Sequence, residues 1–253
     1  MQEIPINHPR YQSLLLRKKI SEAHKAGVLA ESGMIAHGRG EAFDYLLGEK
    51  TIPPAKKAIE VAAAQILLAK NPVISVNGNT AALSAREVVK LSHKSGAKVE
   101  INLFYRTPER LDKIESILRK NGARKVLGTN NEEHLHLKGL EGPRSIVSAE
   151  GIHSADVVLV PLEDGDRAEA LIANNKTVIT IDLNPLSRTA RSSTITIVDN
   201  LVRALPLLIQ EVEKLKGEEH YKLEEMIRNF NNQNNLNESL KVILRIYHED
   251  VKP

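Results

Sequence analysis

The chain has 253 residues, 42% of them hydrophobic and 26% charged, with 35 Lys and Arg against 32 Asp and Glu and no Cys or Trp. Such figures fit a globular protein with an aliphatic core, and they exclude disulfides, thiolate metal centres and cysteine nucleophiles. The net charge of +3 is too small to argue for a nucleic-acid surface and suits an anionic small molecule.

The longest small-apolar stretch, residues 61–69, is interrupted by Gln65 and falls far short of the ~20 residues of a membrane span. The opening MQEIPINHPR carries no basic-then-apolar leader. A cytoplasmic location is expected, with no membrane partner and no nucleic acid.

In chain order, apolar positions from Tyr11 to Ala26 stop at Gly27 and predict a helix with a glycine end. The stretch GMIAHGRG, residues 33–40, is too rich in glycine for regular structure and predicts a loop. A short helix should follow from Glu41 to Leu47. Pro53 and Pro54 then open an Ala-rich helix to Ala69, because proline is tolerated in a first turn. Its Ala-rich face, residues 55–69, is expected to be a contact surface.

From Asn71 onward strand and helix alternate. Buried strands are predicted at 73–76, 99–104, 125–127, 157–160, 178–181 and 194–198, with helices over 80–95, 108–121 and 201–215. Residues 129–153 are expected to be mostly loop. Alternation of this kind predicts an α/β fold, a Rossmann-like parallel sheet with helices on both faces. N-terminal helices (1–70) should precede that core (71–216), and an Asn-rich helical tail with a flexible joint (217–253) should follow, all within a single domain.

In open α/β sheets ligands bind at the carboxyl ends of strands, so the polar loops at those ends are the candidate site. Asn77-Gly78-Asn79 stands where a dinucleotide fingerprint would lie, but G-x-G-x-x-G is absent. Glu163-Asp164-Gly165-Asp166-Arg167 offers acids for Mg²⁺ and an arginine for a phosphate or carboxylate, or is simply a solvated turn. Asp182-Leu183-Asn184 with Ser187-Arg188 supplies an acceptor, an amide, a hydroxyl and a guanidinium. Asp199-Asn200 has the same character, or simply caps the helix at Leu201. His37-Gly38-Arg39-Gly40-Glu41 is either a phosphate cradle or a tight turn with a surface arginine. Gly48-Glu49-Lys50-Thr51 fails as a P-loop because Glu49 splits the Gly-Lys pair. His134 and His136 are taken as a surface pair.

HGRGEAFDYLLGEKT at 37–51, NPVISVNGN at 71–79, NLFYR at 102–106, ADVVLVPLEDGDR at 155–167 and IDLNPLSRT at 181–189 resemble the archaeal 4-phosphopantoate–β-alanine ligase (phosphopantothenate synthetase) family. The resemblance covers most of the chain to about residue 216 and does not reach the tail. It implies a homodimeric enzyme of coenzyme A synthesis that joins 4-phosphopantoate to β-alanine, with ATP and Mg²⁺, releasing AMP and diphosphate through an acyl-adenylate. It also implies an ATP site of Arg17, Arg39, Asp182, Leu183, Asn184, Ser187, Arg188, Asp199 and Asn200, with Arg39 and Arg188 stabilising the reacting phosphates. His37, Asn77, Asn79, Arg106, Glu163, Asp164 and Arg167 are candidates for the two other substrates. The metal ligands are unknown. A nicotinamide-dependent oxidoreductase is disfavoured by the missing fingerprint, and a non-catalytic nucleotide-binding module by the lack of a basic stripe with aromatics.

Overall fold

The computed structural model describes residues 4–250. In chain order it runs α1 (Tyr11–Lys25), α2 (Glu31–Leu46), α3 (Pro53–Leu68), β1 (Pro72–Val76), α4 (Gly78–Ser95), β2 (Lys98–Ile101) and α5 (Pro108–Lys120). There follow β3 (His134–His136), β4 (Ile146–Ser148), β5 (Val157–Pro161), α6 (Gly165–Ala173), β6 (Thr177–Ile181) and α7 (Arg188–Ser192). The chain closes with β7 (Ile195–Ile197), α8 (Leu201–Leu215), α9 (His220–Arg228) and α10 (Asn232–Asp250). Among these helices none is long and apolar enough to cross a membrane.

Five strands form one parallel sheet in the order β2-β1-β5-β6-β7. The chain steps outward from β1 to β2 and then crosses back to place β5 on the other side of β1. The order reverses there, and that is where an open α/β sheet leaves a crevice.

Alternate residues of each strand face opposite sides. Ile74, Val99, Leu159, Ile179 and Ile195 lie in register and enter the larger core, which α3, α4, α5 and α8 complete. Val73, Val158 and Val178 face the other way, onto Leu137, Val147, Ile152, Ala168 and Leu171. The second face is therefore covered by α6 and by an antiparallel ribbon of β3 and β4, with a π-type turn at Ala149–His153.

Residues 129–153 are more ordered than expected, because that sheet face needs an apolar cover. At Lys125–Leu127 no full strand forms: Leu127 makes a single parallel bridge to Glu100. The Ala-rich helix α3 also departs from expectation. Ala55, Ala58, Ala62, Ala63 and Ala64 are buried inside the chain, where small side chains let α3 approach α8 and α9 closely, so that face is not a surface.

The largest departure is at residues 33–40, where α2 runs straight through the glycines. Gly33 is required by its neighbours, since a Cβ there would meet Leu29 Cδ1 at 2.4 Å and Asn79 Oδ1 at 2.6 Å. The Asn-rich tail is likewise regular: α9 and α10 are separated only by Asn229–Asn231. Asn232 accepts from Thr196 N at 2.8 Å and donates to Ala190 O and Ser193 O, which ties α10 to the edge of the sheet.

Candidate active site

Parallel strands send all their following loops to one edge, and α2 lies across that edge. Asn79 Nδ2 donates to Gly33 O at 2.9 Å, Gly40 approaches Leu183, and Asp44 accepts from Asn200 Nδ2 at 2.8 Å. The helix thus passes over the loops of β1, β6 and β7 in turn.

Helical spacing puts His37, Glu41 and Asp44 on one side of α2 and Arg39 on another. Arg39 lines a cavity of about 350 Å³ with Asn77, Asn79, Arg110, Arg144 and Asp164. His37, Glu41 and Asp44 line a second cavity, of about 710 Å³, together with Ser84 and Arg203. Between them is a small cavity of about 70 Å³ that shares Ala36, Asn79 and Leu162 with the first cavity and His37, Glu41 and Asn200 with the second.

The first cavity lies at the reversal point of the sheet, between the loops of β1 and β5. Asn77 shapes it twice over. Its Oδ1 accepts from Thr80 N at 3.0 Å and caps α4, while its Nδ2 donates to Pro161 O at 3.1 Å and Leu162 O at 2.9 Å. Leu162 is held at φ 54°, a left-handed conformation uncommon outside glycine. Beyond it Glu163 turns inward, its side chain only 2% exposed, between Arg144 and Arg167.

Arg167 is fully buried, with Nε and Nη2 unpartnered, and burial pushes its guanidinium down to about 10. Arg144 is also pushed down to about 10 by burial. It reaches the cavity wall over the ring of Phe104, 5.8 Å from its centre. Arg110 stands beside it, bonded to Tyr105 O and Val28 O.

The β6 loop is self-contained. Asp182 accepts from Asn184 N at 2.9 Å and Ser187 Oγ at 2.5 Å, and Ser187 caps α7. Burial pushes the Asp182 carboxyl up, against the pull of these bonds and of the Arg39 charge. Arg188 donates from Nε and Nη2 to Glu169 at 2.7 and 2.5 Å, and this holds the Glu169 carboxyl down at about 2. The stem of Arg188 crosses Gly165, where a Cβ would meet its Cγ at 2.6 Å.

Other candidates are tied into the frame. Asp199 is buried and accepts from Thr51 Oγ1 at 2.6 Å and Arg203 Nε at 2.9 Å; burial raises its carboxyl. Asn200 caps α8 and holds Asp44. Arg17 pairs with Glu41 through two guanidinium nitrogens. Arg106 donates to Thr129 O at 3.4 Å and has its Nη2 2.9 Å from His134 Nε2, which gives that histidine a partner.

Arg39, Asn77, Asn79 and Asp164 therefore meet at one cavity, Asp182, Leu183, Asn184, Ser187 and Arg188 share one loop, and His37 and Asn200 face the other cavity. Two expectations need correction. Glu163 is clamped by two arginines and is not free to hold Mg²⁺ or an ammonium. Arg167 lies beneath the cavity, not in its wall. Sequence reasoning missed Arg110 and Arg144 in that wall. It also missed Asp44 and Arg203; the signal for Asp44 was its i, i+4, i+7 spacing with His37 and Glu41, had the stretch been taken as a helix.

The family model for phosphopantothenate/pantothenate synthetase matches residues 54–246. A 4-phosphopantoate–β-alanine ligase of Thermococcus onnurineus is 52% identical over 95% of this chain and 92% of its own. Its namesake in Methanosarcina mazei is 49% identical over 96% and 95%, and one from Methanospirillum hungatei is 50% identical over 85% and 87%. With identity of this order running almost end to end, the chain belongs to the phosphopantothenate/pantothenate synthetase family.

Proposed function

We propose that the chain is an ATP-dependent ligase that joins 4-phosphopantoate to β-alanine, forming 4′-phosphopantothenate, AMP and diphosphate. The observation that carries this reading is the cavity at the sheet's reversal point, walled by Arg39, Arg110 and Arg144, in a chain of this family. A dianionic phosphate and a carboxylate on one small molecule need several fixed cations, and guanidinium forks match both groups.

A carboxylate is a poor electrophile and must be activated before an amine attacks it. Attack of the carboxylate on the α-phosphorus of ATP would form an acyl-adenylate and release diphosphate. The protein's part is then to position the reactants and stabilise charge. Arg39, between the cavity and Asp182, meets the triphosphate, and the loop from Asp182 to Arg188 carries the nucleoside. Arg110 and Arg144 take the acid. Arg17, Asp199 and Asn200, assigned to ATP by resemblance, also hold α2 and α8 in place.

Mg²⁺ enters with the nucleotide. It retains waters and binds through one or two carboxylates plus phosphates. Asp164, half exposed at the cavity rim, fits that limited role, and Glu163 does not. A single-domain, cytoplasmic homodimer completes the reading.

The test is nucleotide analysis after incubation with Mg-ATP, 4-phosphopantoate and β-alanine, each omitted in turn. AMP and phosphopantothenate are expected only when all are present. ADP would replace the adenylate by an acyl phosphate, and no turnover would sink the ligase reading. Alanine at Arg39 should lower kcat at least a hundredfold, and near-normal turnover would remove Arg39 from the site.

A further inference from the structure

We propose that His37 accepts the proton that the ammonium of β-alanine must lose, and that the amine reaches the activated carboxyl through the cavity of about 710 Å³ on the far side of α2. This rests on the ligase reading above and adds to it a base and a route.

His37 lines both the large cavity and the small one that separates it from the arginine-walled cavity. Its Nε2 is buried and has no hydrogen-bond partner. A buried ring nitrogen without a partner is costly in a finished structure, and a ligand that bonds to it removes the cost. A second orphan faces the same space. Helix α4 kinks at Ser84 (φ −147°, ψ 30°), and Ser84 Oγ, on a residue 2% exposed, lines the large cavity without a partner.

Charge sorts the two cavities. Arg39, Arg110 and Arg144 wall the smaller one, which draws the anionic acid. The larger contains Glu49 and Glu87, which have no ion pair among the described residues, beside Glu41 and Asp44, which Arg17 and Arg203 hold, with Arg10 and Lys19 also in its wall. It therefore offers acids for an ammonium and bases for the carboxylate of a short zwitterion.

Burial, rather than its charged neighbours taken together, favours the neutral ring of His37. Burial lowers its proton affinity and Arg17 on α1 lowers it further, while Glu41 and Asp44 on its own helix pull the other way. Across the cavity stand Glu87 on α4 and Arg203 on α8. A neutral imidazole can take one proton from the ammonium. The amine lone pair then forms the C–N bond to the acyl carbon, and the C–O bond to AMP breaks, AMP leaving with the electron pair. The remaining excess N–H proton of the new amide is released to water.

The test separates activation from amine attack in His37→Gln. Wild-type protein should exchange diphosphate into ATP when 4-phosphopantoate is present, and its failure to do so would bring down the acyl-adenylate route on which this proposal rests. His37→Gln should keep that exchange, lose β-alanine turnover at least a hundredfold, and still form the hydroxamate with hydroxylamine, an amine already unprotonated at neutral pH. Normal turnover with β-alanine overturns the proposal, and so does equal loss with both nucleophiles. Ser84→Ala checks the route independently of His37: KM for β-alanine should rise severalfold while exchange is unchanged, and an unaltered KM counts against the cavity.

Discussion

Gly38 sits in the middle of α2 with nothing within 4 Å of where its Cβ would be. In an exposed helix interior alanine is better than glycine by about 1 kcal/mol, so Gly38→Ala should raise Tm by roughly 2–4 °C. A lower Tm would mean that residues 33–40 are not helical. Asn77 permits a sharper dissection. Asn77→Asp keeps the acceptor that caps α4 but loses the donor to Pro161 O and Leu162 O, setting a carboxylate against two carbonyls. It should cost about 2 kcal/mol in chemical denaturation, and a neutral result would show that the β5 loop holds its shape unaided. The place of Asp182 and Arg188 at the sheet edge was legible because they follow the apolar run at 178–181, which locates a strand. Arg144 was not, since it projects from a segment whose order comes from covering a sheet face and not from any local period.

Two elements show where sequence patterns fail. The glycines of α2 argue against a helix locally, yet Asn79, Leu183 and Asn200 hold it over the sheet edge, and tertiary contact overrides propensity. The ribbon of β3 and β4 is too short to signal itself, and it is fixed from below by Glu100. That carboxylate is fully buried and accepts from Ser148 N at 3.0 Å and Ile152 N at 2.6 Å. Burial pushes it up from the ordinary 4.5 to about 7. The folded state therefore binds its proton more tightly than the unfolded chain does. The resulting stabilisation is fully present below about 4.5 and is lost as pH rises through about 7. Denaturation midpoints of the wild type should fall across that window, with a smaller slope in Glu100→Gln; equal slopes would place the titration elsewhere.

At the scale of the molecule, the tail is part of the fold. Leu223 and Leu236 are buried, and Asn232 bonds Thr196 and two carbonyls beside it. Leu236→Ala should cost about 2–5 kcal/mol, read from the urea midpoint, and a loss under about 1 kcal/mol would restore the view of a peripheral appendage. The parallel sheet and its order of elements were legible because buried runs of Val and Ile alternate with capped helices. The tail was not, because its anchors are amides, whose partners only the folded chain defines.

The uneven attachment of α2 has a kinetic consequence. Its later half is held by Arg17 on Glu41 and by Asn200 and Arg203 on Asp44, whereas its start has, among the described residues, one side-chain bond from outside, Asn79 to Gly33. Local opening follows the weakest set of contacts, so the edge should loosen from Gly33 and pivot about Asp44. Amide hydrogens of Met34–His37 should then exchange with solvent faster than those of Phe43–Leu47. Ligands bound beneath α2 would slow the first group far more than the second, turning a ladder of exchange rates into a gauge of occupancy.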